Sequence, residues 1–152
     1  MRALELRIPP LLLVLVVAMG MALSAFVVPA ALVVPARQAV AAALAVAGVL
    51  LALAGVLAFR RHRTTVNPMT PGKSSALVAT GIYRLSRNPM YLGFLLLLGG
   101  WGAYLANAVA LLWLPAFVVY MNRFQIQPEE RALTQRFGEQ YLAYCRAVRR
   151  WC

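Results

Sequence analysis

Acid is what this chain has least of. It carries four Asp and Glu against fifteen Lys and Arg in 152 residues. Two of the four, Glu129 and Glu130, are adjacent. There is one histidine, His62, set in Arg-Arg-His-Arg, where interfacial anchoring accounts for it. There are two cysteines, Cys145 and Cys152, and no Cys-x-x-Cys pair, so no metal-ligand spacing is present. Both cysteines fall in a stretch read below as cytoplasmic, where a disulfide does not persist. A glycine-rich strand–turn–helix motif is also missing. Charge as a whole is scarce at 12%, against about 25% in a soluble domain. That scarcity, with 62% hydrophobic residues and a mean hydropathy of +0.74, excludes a soluble fold. The net charge of +11 is no sign of nucleic acid. It lies in short segments between apolar runs, the pattern of cytoplasmic loops beside anionic lipid.

What the chain does have is apolar length. Ile8 to Val34 and Ala39 to Phe59 are uncharged or nearly so, and each is long enough to cross ~30 Å of hydrocarbon at ~1.5 Å per residue. Met90 to Leu105 and Ala108 to Met121 form two shorter runs parted only by Ala106-Asn107, which predicts a helical hairpin with a tight turn at Asn107. Pro115 is expected to kink the last of them. The expected fold is therefore an all-α integral membrane protein with about four transmembrane helices and a single membrane domain, 1–152. Two N-terminal spans fill 1–59. The N-terminus has a basic start and small residues at Ser24-Ala25, like a secretory leader. Its apolar run far exceeds the roughly 7–15 residues of a cleavable core, so a retained span is expected.

Lysine and arginine set the orientation. Arg60, Arg61, Arg63, Lys73, Arg84 and Arg87 lie in the central loop without an acid among them. Arg123, Arg131, Arg136, Arg146, Arg149 and Arg150 follow the last span, and Arg2 and Arg7 precede the first. The turn between the first two spans has only Arg37, and the Asn107 turn has none. Both termini and the central loop are thus expected in the cytoplasm.

At 100° per residue, Ile126, Glu130, Leu133, Phe137, Tyr141 and Tyr144 fall in one arc, with Arg131, Gln135 and Glu139 opposite. This predicts an amphipathic cytoplasmic helix from about Pro128 to Arg146 lying on the membrane surface. Pro128 suits a first helical position and acids in the first turn favour the helix dipole, so capping accounts for Glu129. Capping accounts less well for Glu130, which sits inside the apolar arc. Arg84 and Arg87 read individually as flanking charges, and Tyr83 and Tyr91 as belt aromatics. Their crowding around Asn88-Pro89, with Pro89 opening a helix and Tyr91 pointing back toward Arg87, makes them a candidate site.

These pieces carry a resemblance. Residues 64 to 151 resemble the C-terminal half of the isoprenylcysteine carboxyl methyltransferase and phospholipid methyltransferase superfamily. The matching parts are Thr65-Val66-Asn67-Pro68, Leu77 to Arg84, Ser86-Arg87-Asn88-Pro89-Met90-Tyr91-Leu92-Gly93, Glu129-Glu130-x-x-Leu133, Phe137-Gly138-Glu139-x-Tyr141-x-x-Tyr144 and Val148-Arg149-Arg150-Trp151. The first sixty residues match only in being apolar. The best-known form of the central motif reads Arg-His-Pro-x-Tyr, and here Asn88 stands in place of the histidine. An asparagine donates and accepts hydrogen bonds but cannot shuttle a proton at neutral pH. The position therefore binds rather than catalyses, or the chain is inactive.

The resemblance implies that 60–152 is the half that holds S-adenosylmethionine, without a Rossmann fold. It implies a cofactor-binding set of Tyr83, Arg84, Arg87, Asn88, Pro89, Tyr91, Glu129 and Glu130, with Arg87, Tyr91 and Glu130 as the catalytic candidates. In this reading Glu130 pairs with the cationic donor and Tyr83 or Tyr91 offers an aromatic face to the sulfonium. Arg84 or Arg87, with Asn88, binds a carboxylate. The acceptor is a lipid or another amphiphile. The carboxylate of an isoprenylcysteine-like molecule is favoured by the arginines, and a phospholipid amine stays open. The membrane is the bacterial inner membrane in this reading. Two other classes remain: an NADPH-dependent reductase of the sterol reductase type, which shares a related motif but is usually much longer, and a non-catalytic small membrane subunit.

Overall fold

The computed structural model describes residues 5–61 and 76–152. Arg2, His62, Arg63, Lys73 and the Thr65-to-Pro68 part of the motif lie outside the described residues. Among the described residues every regular element is helical. Helix α1 spans Pro10–Val27 and α2 Arg37–Arg61, and a single 3-10 turn covers Gly81–Arg84. Then come α3 (Pro89–Leu105), α4 (Ala108–Leu111), α5 (Trp113–Tyr120), a π-helical stretch (Met121–Ile126), α6 (Gln127–Phe137) and α7 (Glu139–Ala147). Prolines open α1 and α3 in the first turn, where a missing N–H breaks no intrahelical bond.

Three helical stretches are long and apolar enough to cross a membrane: α1, α2, and the 30-residue rod Ala108–Phe137 made of α4, α5, the π stretch and α6. Helix α3 is shorter, at 17 residues. Leu11, Leu15, Met19, Leu23, Val46, Leu50 and Leu53 all lie exposed on the outer faces of α1 and α2. In water such faces would be a liability; in hydrocarbon they are the solvated surface. The protein is an all-α integral membrane protein.

Small residues bring α2 and α3 together. A Cβ placed on Gly48 would lie 2.6 Å from the carbonyl oxygen of Gly93, and one on Gly93 would lie 2.6 Å from that of Gly48. Gly100 meets Ala41 and Ala45 in the same way. The alanines and glycines at 41, 45, 48, 52 and 55 thus form a seven-residue repeat along one face of α2. This is how helices pack in lipid, where backbone approach and dispersion replace the hydrophobic effect. The Ala/Val/Leu richness of α2 hides this packing stripe in the sequence.

The two turns at one end are stitched together. Ala106 adopts a left-handed conformation (φ 47) and closes α3. Asn107, buried, accepts the N–H of Val109 (2.9 Å) and of Ala110 (3.1 Å) and donates to the carbonyl of Val28 (2.8 Å). Leu32 donates to Ala106 at 2.7 Å and Ala108 to Ala30 at 2.8 Å. The α1–α2 connection is thereby fixed to the predicted hairpin turn. Between the helices the core holds Leu13, Val17, Met21, Tyr91, Leu98, Phe117, Met121 and Ile126.

The surface helix expected from Pro128 to Arg146 is not one separate element. Its first half, α6, continues the rod, and Gly138 (φ 52) breaks it from α7. Pro128 does not start a helix. Having no N–H, it leaves the Phe124 carbonyl free four residues back, and that oxygen accepts the N–H of Leu6 at 3.0 Å. The ladder just before it slips to a wider spacing, with Gln127 N–H bonded to Asn122. The helical wheel drawn from Ile126 to Tyr144 starts where the wider spacing ends and loses its phase at Gly138. Pro115 has its own consequence in the same rod: regularity lapses at Leu112, between α4 and α5.

Candidate functional site

Three segments meet at the end of α3 opposite the Asn107 turn: residues 83–91, the stretch from Gln125 to Glu130, and Tyr141 to Trp151. At ~1.5 Å per residue, the ~30 Å crossed by the rod from Ala108 ends near residue 128, so Glu129 and Glu130 stand at the membrane edge.

Glu130 is the hub. Arg150 grips it with two bonds, Nε to Oε1 at 3.0 Å and Nη2 to Oε2 at 2.7 Å. Arg87 Nη1 lies 3.3 Å from Oε1. The carboxylate is 18% exposed and the Arg87 side chain 14%, so this anion and cation are largely desolvated, while the second cation, Arg150, stays partly exposed. Two parallel bonds of this kind fix geometry as well as energy. Arg87 Nη1 also donates to Cys145 Sγ, and Arg87 Nε is buried with no hydrogen-bond partner.

Glu129 faces another way. Its Oε1 accepts the hydroxyl of Tyr91 and the side-chain amide of Gln125 at 2.6 Å. Both donors are neutral, and no cation contacts this carboxylate among the described residues. Because the rod runs through Pro128, no helix terminus lies here and capping does not account for Glu129.

The segment around Asn88 is bound to the far C-terminal stretch. Arg87 N–H donates to the Arg149 carbonyl at 3.0 Å, and Asn88 Nδ2 donates to that of Arg150 at 2.9 Å. Ser86 Oγ, buried, accepts the N–H of Asn88 at 3.1 Å. Trp151 donates to Asn122 of the π stretch at 3.1 Å. Tyr83 is buried, packs edge-on against Phe59 of α2 with ring centres 5.4 Å apart, and receives at its carbonyl the hydroxyl of Tyr144 at 2.7 Å. Burial pushes the phenols of Tyr83, Tyr141 and Tyr144 well up, so they stay neutral hydrogen-bonding groups. The Arg150 guanidinium is held still more firmly protonated by its hydrogen bond to Glu130.

Of the eight residues singled out from sequence, Arg87, Asn88, Tyr91, Glu129 and Glu130 come together in this cluster. Pro89 is buried and opens α3. Tyr83 stands beside the cluster with its ring turned to α2. Arg84 is exposed and makes no ion pair among the described residues. An open groove of about 450 Å³ runs along α6, lined by Gln127, Glu130, Arg131, Thr134 and Gln135. Arg131 at its rim is tied to Glu5. Of the eight, Glu130 is the one that lines this groove. Sequence reasoning missed Arg150, Gln125 and Cys145. Arg150 stood in the quoted Val148-Arg149-Arg150-Trp151 piece, but nothing in its spacing pointed to Glu130, twenty positions earlier.

Comparison with known proteins gives the family of the chain. An uncharacterized protein of Haemophilus influenzae is 44% identical over 62 residues, covering 41% of this chain and 98% of that protein. Protein-S-isoprenylcysteine O-methyltransferase A of Arabidopsis thaliana is 35% identical over 102 residues, 65% of this chain and 50% of the plant enzyme. Protein-S-isoprenylcysteine O-methyltransferase B of the same plant is 39% identical over 75 residues, 47% and 36% of the two chains. The chain thus spans half or less of the plant enzymes it matches. No solved structure matches. The phospholipid methyltransferase family matches residues 36–140, which include α2, α3, the whole rod and both glutamates, and the chain belongs to that family.

Proposed function

We propose that this protein, a methyltransferase by family, transfers the methyl group of S-adenosylmethionine to the carboxylate of a lipidic acceptor at the cytoplasmic face of a bacterial inner membrane. The observation that carries the reading is the pairing of Arg87 and Arg150 over a single carboxylate. Beside it Arg87 Nε is left buried without a partner. An unpaired buried donor of this charge suits an incoming anion. Glu129, with neutral partners only, suits an incoming cation. The donor has both an anionic and a cationic part, so the residues present fit it.

When bound, S-adenosylmethionine supplies an electrophilic methyl on a sulfonium whose departure leaves a neutral thioether. The chain's own part is positioning and exclusion of water. Glu129 holds positive charge, and Tyr91 and Gln125 hold Glu129. Arg87 and Arg150 hold negative charge and orient it. Methylation of a carboxylate releases no proton, whereas methylation of an ammonium needs one removed. Asn88, where the best-known motif has histidine, cannot take a proton. That chemistry favours a carboxylate acceptor, and the plant relatives are named for O-methylation of isoprenylcysteine.

Four crossings with both termini cytoplasmic suit this reading. The stitched turns at the Asn107 end carry only Arg37, while the site end carries most of the arginines. Labelling of a cysteine placed at position 37 from the cytoplasmic side would refute that topology.

The test uses detergent-purified protein with methyl-labelled S-adenosylmethionine or with NADPH. Expected are saturable binding of the former and transfer of label to an S-farnesylated cysteine with a free carboxylate. The label should be released by base, as an ester's is. Binding of NADPH alone, or base-stable label in phosphatidylethanolamine, would overturn the reading.

A further inference from the structure

We infer that Asn88 is a positioning residue whose side-chain amide anchors the segment Val148–Trp151, so that this segment forms a wall of the site and delivers Arg150 to Glu130. The inference rests on the proposed methyl transfer only for its activity arm. The segment has no regular structure after Val148, yet four contacts fix it. Arg87 N–H holds the Arg149 carbonyl, Asn88 Nδ2 and Ser86 Oγ hold that of Arg150 (2.9 and 3.4 Å), and the Trp151 indole holds Asn122. Between these anchors the Arg150 side chain reaches Glu130.

Asn88 is the strongest of the anchors available to substitution, because its contact is a direct side-chain bond to the residue that carries the guanidinium. Its chemistry suits the task. A neutral amide always has an N–H to donate, whatever the pH, and a carbonyl oxygen can only accept. Ser86 Oγ, which receives the Asn88 N–H at 3.1 Å, fixes the backbone from which the amide projects. The departure from the familiar histidine then has a structural meaning: what this position needs here is a permanent donor, not an exchangeable proton.

Three substitutions separate this from a merely structural role. Asn88→Asp keeps the shape and loses the donor. Asn88→His changes the shape and keeps a donor. Asn88→Ala removes both shape and donor. The first readout is amide hydrogen exchange of the Arg87 N–H, whose partner is the Arg149 carbonyl, in the full-length protein with and without S-adenosylmethionine. A hydrogen bond of ordinary strength predicts exchange about threefold to tenfold faster in the Ala and Asp variants, and near wild type in His. The second readout is the pH profile of methyl transfer. In the Ala variant the rate should fall at least as far as the exchange rises, with no new titration, and in the Asp variant it should fall as far while the carboxylate is ionised. The His variant should recover rate with no dependence on pH through the imidazole range near ~6.5. Full protection and activity in the Asp variant would overturn the inference. So would a His variant that gains rate as its imidazole titrates, because that would put proton transfer at this position. If no protein, wild type included, transfers methyl, the exchange readout still decides the anchoring while the functional reading fails alone.

Discussion

Glu130→Gln removes the one anion that holds Arg87 and Arg150 together. The native carboxylate accepts two charge-assisted bonds from Arg150 and faces Arg87 at 3.3 Å. Each such bond contributes about 1.5–3 kcal/mol when desolvated. Glutamine keeps one accepting oxygen, so about one of the two Arg150 bonds survives, and the two guanidiniums lose their shared counter-ion. Breaking a buried pair costs about 3–5 kcal/mol. Arg150 is 35% exposed and Glu130 18%, so water recovers part of that, and about 2 kcal/mol is the expected loss. At about 2–4 °C per kcal/mol for a chain of this size, the unfolding midpoint in detergent should fall by about 4–8 °C. Glu129→Gln is the control. Its partners Tyr91 and Gln125 are neutral, and a glutamine oxygen still accepts from them, so the midpoint should move by less than about 2 °C on the same scale. Its effect belongs in binding. A bound cation favours the ionised form of Glu129, and losing that contact should weaken S-adenosylmethionine about tenfold or more in equilibrium binding. The family resemblance had instead paired Glu130 with the cationic donor. Equal shifts of midpoint for the two variants would refute the account of the Glu130 trio. Undiminished donor binding by Glu129→Gln would refute the role given to its charge.

Arg87→Gln should lower methyl transfer by about a hundredfold, two charge-assisted contacts' worth, whereas Arg84→Gln, whose side chain lies exposed, should stay within about twofold; initial rates with labelled donor decide it. Gly93→Val should separate α2 from α3, since its Cβ has 2.6 Å to the Gly48 carbonyl, and should cost about 1–3 kcal/mol in reversible unfolding, with Leu92→Val on the same helix as the reference. Asn107→Ala removes two capping acceptances and the bond to Val28, for a loss of about 2–3 kcal/mol in the same assay, and a change below ~0.5 kcal/mol would mean that the turns are not stitched as described.

Much of the membrane architecture was legible because it rests on local properties. Runs of apolar residues, the prolines at 10 and 89, and the Asn107 turn each act over a few positions. The cluster around residues 87–91 was legible as a place where polar groups are too many for a membrane edge. The path of the C-terminal half was not. A helical wheel assumes one unbroken period, and Gly138 breaks it through its positive φ, while the wider spacing before Gln127 and the Phe124 carbonyl handed to Leu6 make α6 a continuation of the rod. The alanine stripe of α2 was invisible for a different reason: small residues carry little hydrophobic contrast, and their role appears only when a second backbone lies against them.

The sequence by itself determined that this chain enters a membrane, because transfer into hydrocarbon adds up residue by residue along each run. It also set which motif pieces place polar groups beside the apolar runs. Which charge meets which was decided by tertiary structure alone. Four carboxylates face fifteen Lys and Arg, and proximity along the chain does not select among them. Glu130 takes Arg150 and Arg87, Glu5 takes Arg131, and Glu129 takes no cation in contact among the described residues, because the rod, the start of α3 and the Val148–Trp151 segment converge there. An ion pair in a low-dielectric site is set by fractions of an ångström between distant segments, and those distances exist only once the helices have packed.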